Sequence, residues 1–193
     1  MKLKSIGKLC TYRKEVNILQ KINDTGTIRR YIGDGHAFYE VGELGDVVDL
    51  DIMQTIFDVK KEDRASWSYR NMTESVYAPL EDECAGEQIL RAIDLRMKWH
   101  GLELMPLSYA DGICFIDTDY LAPMRDEIKE GGVGFYKRAG ESIVTVKNGM
   151  CKAIACIMLS KVPEAAVDAL YEIYRAISLY RVEPSETDGL SDQ

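Results

Sequence analysis

Hydrophobic and polar positions alternate with a two-residue period over much of this chain. In Glu15-Val-Asn-Ile-Leu-Gln-Lys-Ile22, the residues Val16, Ile18 and Ile22 recur on one face, which predicts a half-buried strand. Turn residues Asn23-Asp-Thr-Gly26 follow. Thr27 to Ile32 and His36 to Val41 then form two arms of a hairpin about Gly33-Asp34-Gly35, since glycine and aspartate tolerate the tight reversal such a turn requires. The period then changes. Leu50, Met53, Ile56 and Phe57 share a helical face, and Asp49 is placed to cap it. Arg64 to Arg70 alternates again, with Ala65, Trp67 and Tyr69 on one side and Ser66, Ser68 and Arg70 on the other, which predicts a strand with one wet face.

A similar order recurs later in the chain. Ile93, Leu95, Met97 and Trp99 alternate with polar residues up to His100, and Gly101 separates them from Leu102 to Ser108. Ala110-Asp-Gly112 turns the chain into Ile113 to Asp117, where Asp117 or Thr118 caps a short helix carrying Leu121, Met124 and Ile128 and ending at Gly131-Gly132. Strands over Val133 to Arg138, Ser142 to Lys147 and Met150 to Leu159 follow, the last two joined by Asn148-Gly149 as a two-residue type I′ turn. Pro163 opens a final helix with a stripe of Val167, Leu170, Ile173, Tyr174 and Ile177.

The expected fold is therefore α+β: two related β-β-α-β halves of mainly antiparallel sheet, a C-terminal helix and a disordered acidic tail. The corresponding division is 1–72 for the first half, 73–91 for an acidic linker closed by a helical turn near Glu87 to Arg91, 92–160 for the second half, 161–181 for the helix and 182–193 for the tail.

A chain of 193 residues with 46% hydrophobic content is long enough to bury a substantial core. No stretch approaches the roughly 20 apolar residues of a membrane span, and the start lacks an apolar secretion signal, so a cytoplasmic location is expected. Five cysteines without a C-x-x-C pair read as core residues in a reducing compartment, and His36 and His100 lack the neighbours a zinc site requires. The net charge of -8 is concentrated in two segments, 74–87 and 182–193, whose nine acids are unaccompanied by bases; the remainder is close to neutral. Overall acidity thus does not exclude an anionic ligand.

No nucleophile with its base, metal cluster or phosphate loop stands at recognisable spacing, so a non-enzymatic protein without cofactor or metal is expected. His36 beside Asp34 is open to two readings, a general base or a strand residue facing solvent. Asp117 and Asp119 suit helix capping better than cation binding. Binding chemistry is suggested where guanidinium groups stand beside aromatics, a combination that recognises planar anions by stacking and bidentate contacts. The candidate ligand-binding residues are Arg29, Arg30, Tyr31, His36, Trp67, Tyr69, Arg70, Trp99 and His100. Alternating aromatics are equally compatible with core packing.

The stretch Tyr31-Ile-Gly-Asp-Gly-His-Ala-Phe-Tyr39, with Thr55-Ile-Phe-Asp58 and Gly112-Ile-Cys-Phe-Ile-Asp-Thr-Asp-Tyr-Leu121, resembles small uncharacterised phage or prophage proteins. That resemblance implies a phage-type, oligomeric binding protein in the host-cell cytoplasm, sequestering a small anionic nucleotide-like signal of host defence. More loosely, Ile143-Val-Thr-Val-Lys-Asn-Gly-Met150 leading into Ile154 to Leu159 is similar to the terminal hairpin of DNA sliding-clamp domains, which implies a scaffold for DNA or replication proteins. The basic helices that line a clamp channel have no counterpart in the Asp49 to Phe57 segment, which carries no base.

Overall fold

In the computed structural model, the described residues are 2–22, 27–42, 49–73, 80–110 and 112–180. They form a mixed α/β fold in which one large, mostly antiparallel sheet carries helices on its faces. The 182–193 tail and Asp111 lie outside the described residues.

Strands β1 (Glu15–Ile22), β2 (Ile28–Gly33) and β3 (Ala37–Val41) make an antiparallel meander, and β4 (Ser68–Thr73) runs parallel to β1 at its outer edge. Between them α2 (Leu50–Ile56) starts at Asp49, whose side chain accepts from Ile52 N at 2.8 Å, as the sequence predicts. Further along, β5 (Gln88–Ala92) and β6 (Met97–Trp99) both pair with β7 (Leu102–Tyr109), which pairs on its other side with β8 (Gly112–Asp117). A 3₁₀ segment, Thr118–Met124, and α3 (Arg125–Lys129) lead into β9 (Val133–Lys137), β10 (Ile143–Asn148) and β11 (Ala153–Met158). Pairing of β3 with β11 and of β9 with β5 unites all the strands, and α4 (Glu164–Tyr180) packs beside β8.

Five expectations need correction. An additional helix, α1 (Leu3–Arg13), precedes β1 and buries Ile6, Gly7 and Cys10; at Gly7 an added Cβ would lie 2.6 Å from the Phe57 ring, so the missing side chain is what admits that ring. Arg64–Ser66 is a 3₁₀ turn, and β4 begins only at Ser68, because Trp67 is already anchored in the core. The helical turn expected near Glu87 is β5, drawn into extended form by β9 and β7. Of the strand expected from Ile93 to His100, only Met97–Trp99 pairs. The loop after Asn148 is also longer than a two-residue turn: its carboxamide oxygen accepts from Met150 N and Lys152 N, and Cys151 takes the left-handed conformation.

The main core lies between α1, α2, the 3₁₀ segment and one face of the sheet, with Ile6, Ile18, Ile32, Tyr39, Met53, Ile116, Met124 and Val146 among its fully enclosed side chains. A smaller core on the opposite face joins Leu19, Tyr31, Phe38 and Cys156 to Leu80. Leu80 opens a strap, residues 80–87, that lies over this face. Lys21 Nζ meets Glu81 at 2.7 Å, Arg29 meets Asp82 at 2.8 Å, and Glu87 holds both Arg138 and Lys147. The acidity of this stretch thus answers cations on four different strands or strand ends.

Candidate functional site

The Gly33-Asp34-Gly35 turn is the chemical centre of the molecule. Asp34 is almost completely buried, and its Oδ1 accepts from the backbone N–H groups of His36 at 3.0 Å and Ala37 at 3.1 Å, which fixes the turn. Its Oδ2 accepts from Tyr120 Oη at 2.9 Å and forms an ion pair with Arg13, whose Nε lies 3.1 Å away. Arg13 Nε also donates to Tyr120 Oη at 3.1 Å, and Tyr39 Oη donates to Tyr120 O at 2.7 Å. Three elements far apart in sequence, α1, the β2–β3 turn and the 3₁₀ segment, are thereby locked to one carboxylate. Burial, with the charge of Asp34 second, pushes the Tyr120 hydroxyl up, so it stays a neutral donor.

His36 stacks nearly parallel to the Tyr120 ring, 6.5 Å between centroids. Its pKa is lowered, chiefly by burial and then by the neighbouring Arg13 charge, which outweigh the raising effect of Asp34. The sign for stability follows: the unfolded chain takes up a proton near the ordinary value of about 6.5 while the folded chain resists it, so stability is intact above that pH and declines below it. A two-dimensional NMR titration of His36 is expected to give a midpoint below 6.5; a midpoint at or above that value would remove this account of the site.

Asp34 separates two clefts. The first, about 520 Å³, lies on the strap side of the sheet and is lined by Glu15, Asn17, His36, Phe38, Arg70 and Met158 among others. Cys156 also faces it, but burial pushes that thiol up to about 12, which leaves it unreactive. The second, about 580 Å³, opens between α1 and the 3₁₀ segment. Its floor holds the buried Asp34, Asp117 and Tyr120, where Asp117 caps the 3₁₀ segment by accepting from Asp119 N at 3.0 Å. Its rim carries Lys8, Tyr12, Arg13 and Arg125, all exposed. The side chains of Lys8, Tyr12 and Arg125 make no hydrogen bond or ion pair with another described residue.

Of the nine residues expected to bind ligand, His36 and Arg70 line one cleft together. Arg29 is bound internally by Glu40, Asp82 and Ala153 O, and it stacks over Tyr31 with its guanidinium carbon 5.5 Å from the ring centre. Tyr31 is buried and donates to Ala153 O at 3.1 Å. Arg30 is half-buried on β2 opposite Gln20 and Val41. Trp67 and Tyr69 pack into or against the main core, and Trp99, edge-on to His100 at 5.0 Å, packs against the α4 cluster. His100 is exposed in the left-handed turn before β7. The sequence reading missed Arg13 and Tyr120, and it considered Asp34 only as a turn residue and as a neighbour of His36. The acid-free run from Lys2 to Lys14, with five bases, was the available signal for α1.

Among the described residues no group of three or more His, Cys, Asp or Glu converges as a metal site, and no helix is long and apolar enough to cross a membrane. Comparison of the chain with protein-family models, curated proteins and solved structures returns no match.

Proposed function

We propose that this is a non-enzymatic protein that binds a small anionic, nucleotide-like ligand in the cleft between α1 and the 3₁₀ segment. The observation that carries the reading is the exposed rim of Lys8, Tyr12, Arg13 and Arg125 around a cavity of about 580 Å³, a size suited to a small organic ligand. The phosphate meets Lys8 and Arg125, and the base stacks on Tyr12, which is 88% exposed and so has a face to offer. Of the acids lining the cleft, Asp34 is paired with Arg13 and Asp117 is engaged by backbone, which leaves Asp119 against the two cations Lys8 and Arg125. Resemblance to phage proteins extends the reading to sequestration of a nucleotide signal of host defence by an oligomer.

Calorimetric titration with a panel of nucleotides tests the assignment. Binding is expected, with Lys8→Ala, Tyr12→Ala and Arg125→Ala each weakening it by about five- to tenfold, or roughly 1–1.4 kcal/mol. Titrations without heat for every nucleotide would end the proposal.

A second reading, a scaffold for DNA, rests on the bases of the α1 stretch, of which Lys4 and Lys8 have no ion pair with a described residue, whereas Lys2, Arg13 and Lys14 pair with Asp126, Asp34 and Asp63. It requires salt-dependent retention of oligonucleotides. We further propose that the two halves derive from one β-β-α-β unit. Strand order supports it, since β4-β1-β2-β3 and β9-β5-β7-β8 follow one pattern, although β4 is parallel to β1 whereas β9 is antiparallel to β5.

A further inference from the structure

We propose that the cleft on the strap side of the sheet is a second, separate site, and that it takes a small zwitterion: a free α-amino acid with an apolar side chain. The register explains which side chains share the face of the cleft. Arg70, Asn17, Gly33, Phe38 and Cys156 oppose one another in a single row across β4, β1, β2, β3 and β11. Opposed residues share a face of the sheet, so Arg70, Asn17, Phe38 and Cys156 present their side chains on one side, and all four line the cleft. Gly33, at the middle of the row, is obligatory because the backbone of Ala37 fills the space a side chain would take: a Cβ there would lie 1.6 Å from Ala37 O.

The lining has two chemistries. Phe38, Met72, Ile143 and Met158 form an apolar floor and far wall, whereas Glu15 and Arg70 stand on the near wall. Glu15 opposes Ser68, two positions from Arg70, and no ion pair joins the two charges. Arg70 makes no side-chain hydrogen bond or ion pair with any described residue, and Glu15 accepts only from Asn17 Nδ2, at 3.0 Å. The remaining carboxylate, Asp34, is engaged by three hydrogen bonds and by its ion pair with Arg13. One anion and one cation held apart on one wall suit a ligand that carries both: the ammonium goes to Glu15 and the carboxylate to Arg70. A simple anion would meet Glu15, and a simple cation would meet Arg70. His36, held neutral near pH 7, supplies a hydrogen bond without adding charge. The apolar side chain then lies over Phe38 and Met158, in a space of about 520 Å³.

The test is titration of the full chain, by calorimetry or NMR shift, with L-phenylalanine and L-leucine as probes. 3-Phenylpropionate and phenethylamine, each lacking one charge, serve as comparisons. The amino acids are expected to bind, and each single-charge analogue to bind about tenfold more weakly, as expected for loss of one charged hydrogen-bonding partner. Arg70→Ala and Glu15→Gln are expected to lower amino-acid affinity by a similar factor, while Lys8→Ala, in the other cleft, leaves it unchanged. Absence of binding at millimolar amino acid, or analogues that bind as tightly as their parents, would overturn the assignment. The ligand comparison needs no variant, so it holds even where a substitution impairs folding. It is also independent of nucleotide binding at α1, whose failure would leave this site untouched.

Discussion

Replacing Asp34 by alanine is expected to destabilise the protein by about 3 kcal/mol, measurable as a shift in the midpoint of urea unfolding at constant slope. The carboxylate accepts three hydrogen bonds, from the backbone N–H groups of His36 and Ala37 and from the Tyr120 hydroxyl, and forms an ion pair with Arg13. Removing one partner of a buried ionic hydrogen-bond network costs about 3–5 kcal/mol, because the groups left behind have lost water and gained nothing. The lower end applies because the Arg13 side chain is 36% exposed and can regain part of its hydration, whereas the two N–H groups and the phenol cannot. Asp34→Asn separates charge from geometry. Its carbonyl oxygen still serves the turn, but its amide presents donors to Tyr120 and Arg13, so it is expected to fall between wild type and alanine. An asparagine variant as stable as wild type would show that Arg13 contributes nothing through charge. The same substitutions loosen α1 from the 3₁₀ segment, so nucleotide affinity should fall along with stability.

What the sequence made legible is what depends on neighbours. Strand β1 was expected from its alternation over the residues it occupies, and the caps at Asp49 and Asp117 follow from the side chain's reach to an N–H two or three residues on. Tyr31 and Trp67, for which core packing was one of two open readings, are core. Helix α1 was illegible because its buried side is only Ile6, Gly7 and Cys10, a stripe with little hydrophobic signal that works because Phe57, some fifty positions away, fills the space over Gly7. The role of Asp34 was hidden for a related reason: as a turn residue it was already explained, and Tyr120, 86 positions later, cannot be found by spacing. The contacts of the strap were hidden as well. Its acids and lack of periodicity read as a linker, and the cations that neutralise them, Lys21, Arg29, Arg138 and Lys147, sit on other strands or just beyond a strand end. The candidate site shares this character, since each cleft is assembled from four or more elements and only the His36 and Arg70 pair had been singled out beforehand.

Glu87→Gln is expected to have the largest effect of any single substitution, about 4–5 kcal/mol, enough to leave a protein with a typical stability of about 5–15 kcal/mol marginal. Glu87 is the anion between two cations that have almost no access to water: the Arg138 side chain is 3% exposed and that of Lys147 5%. Arg138 Nε lies 3.1 Å from its carboxylate, and Lys147 Nζ contacts the other oxygen. Arg138 additionally donates to Glu81 O, and Lys147 stands 4.5 Å from the centre of the Tyr136 ring. Those contacts remain in the variant but do not cancel a full charge. Two buried cations without their anion then repel each other in a medium of low dielectric, and the simplest relief is for the strap to lift and admit water. The double variant Glu87→Gln/Lys147→Met distinguishes this from lost packing. If uncompensated charge is the cause, removing one cation should restore at least about 1–2 kcal/mol, since a methionine of similar length fills the same space without needing a counterion. If the double variant is no more stable than Glu87→Gln, the ion cluster is not what holds the strap. Acid acts on the same device from the other end: burial disfavours ionised Asp82, but Arg29 and the N–H of Ala153 hold its pKa below the ordinary value. Its contribution is therefore present above the ordinary carboxylate range and disappears as pH falls through the lowered value, so the strap should open in acid before the main core unfolds. Hydrogen exchange in residues 80–87, followed as pH is lowered, would register that order directly.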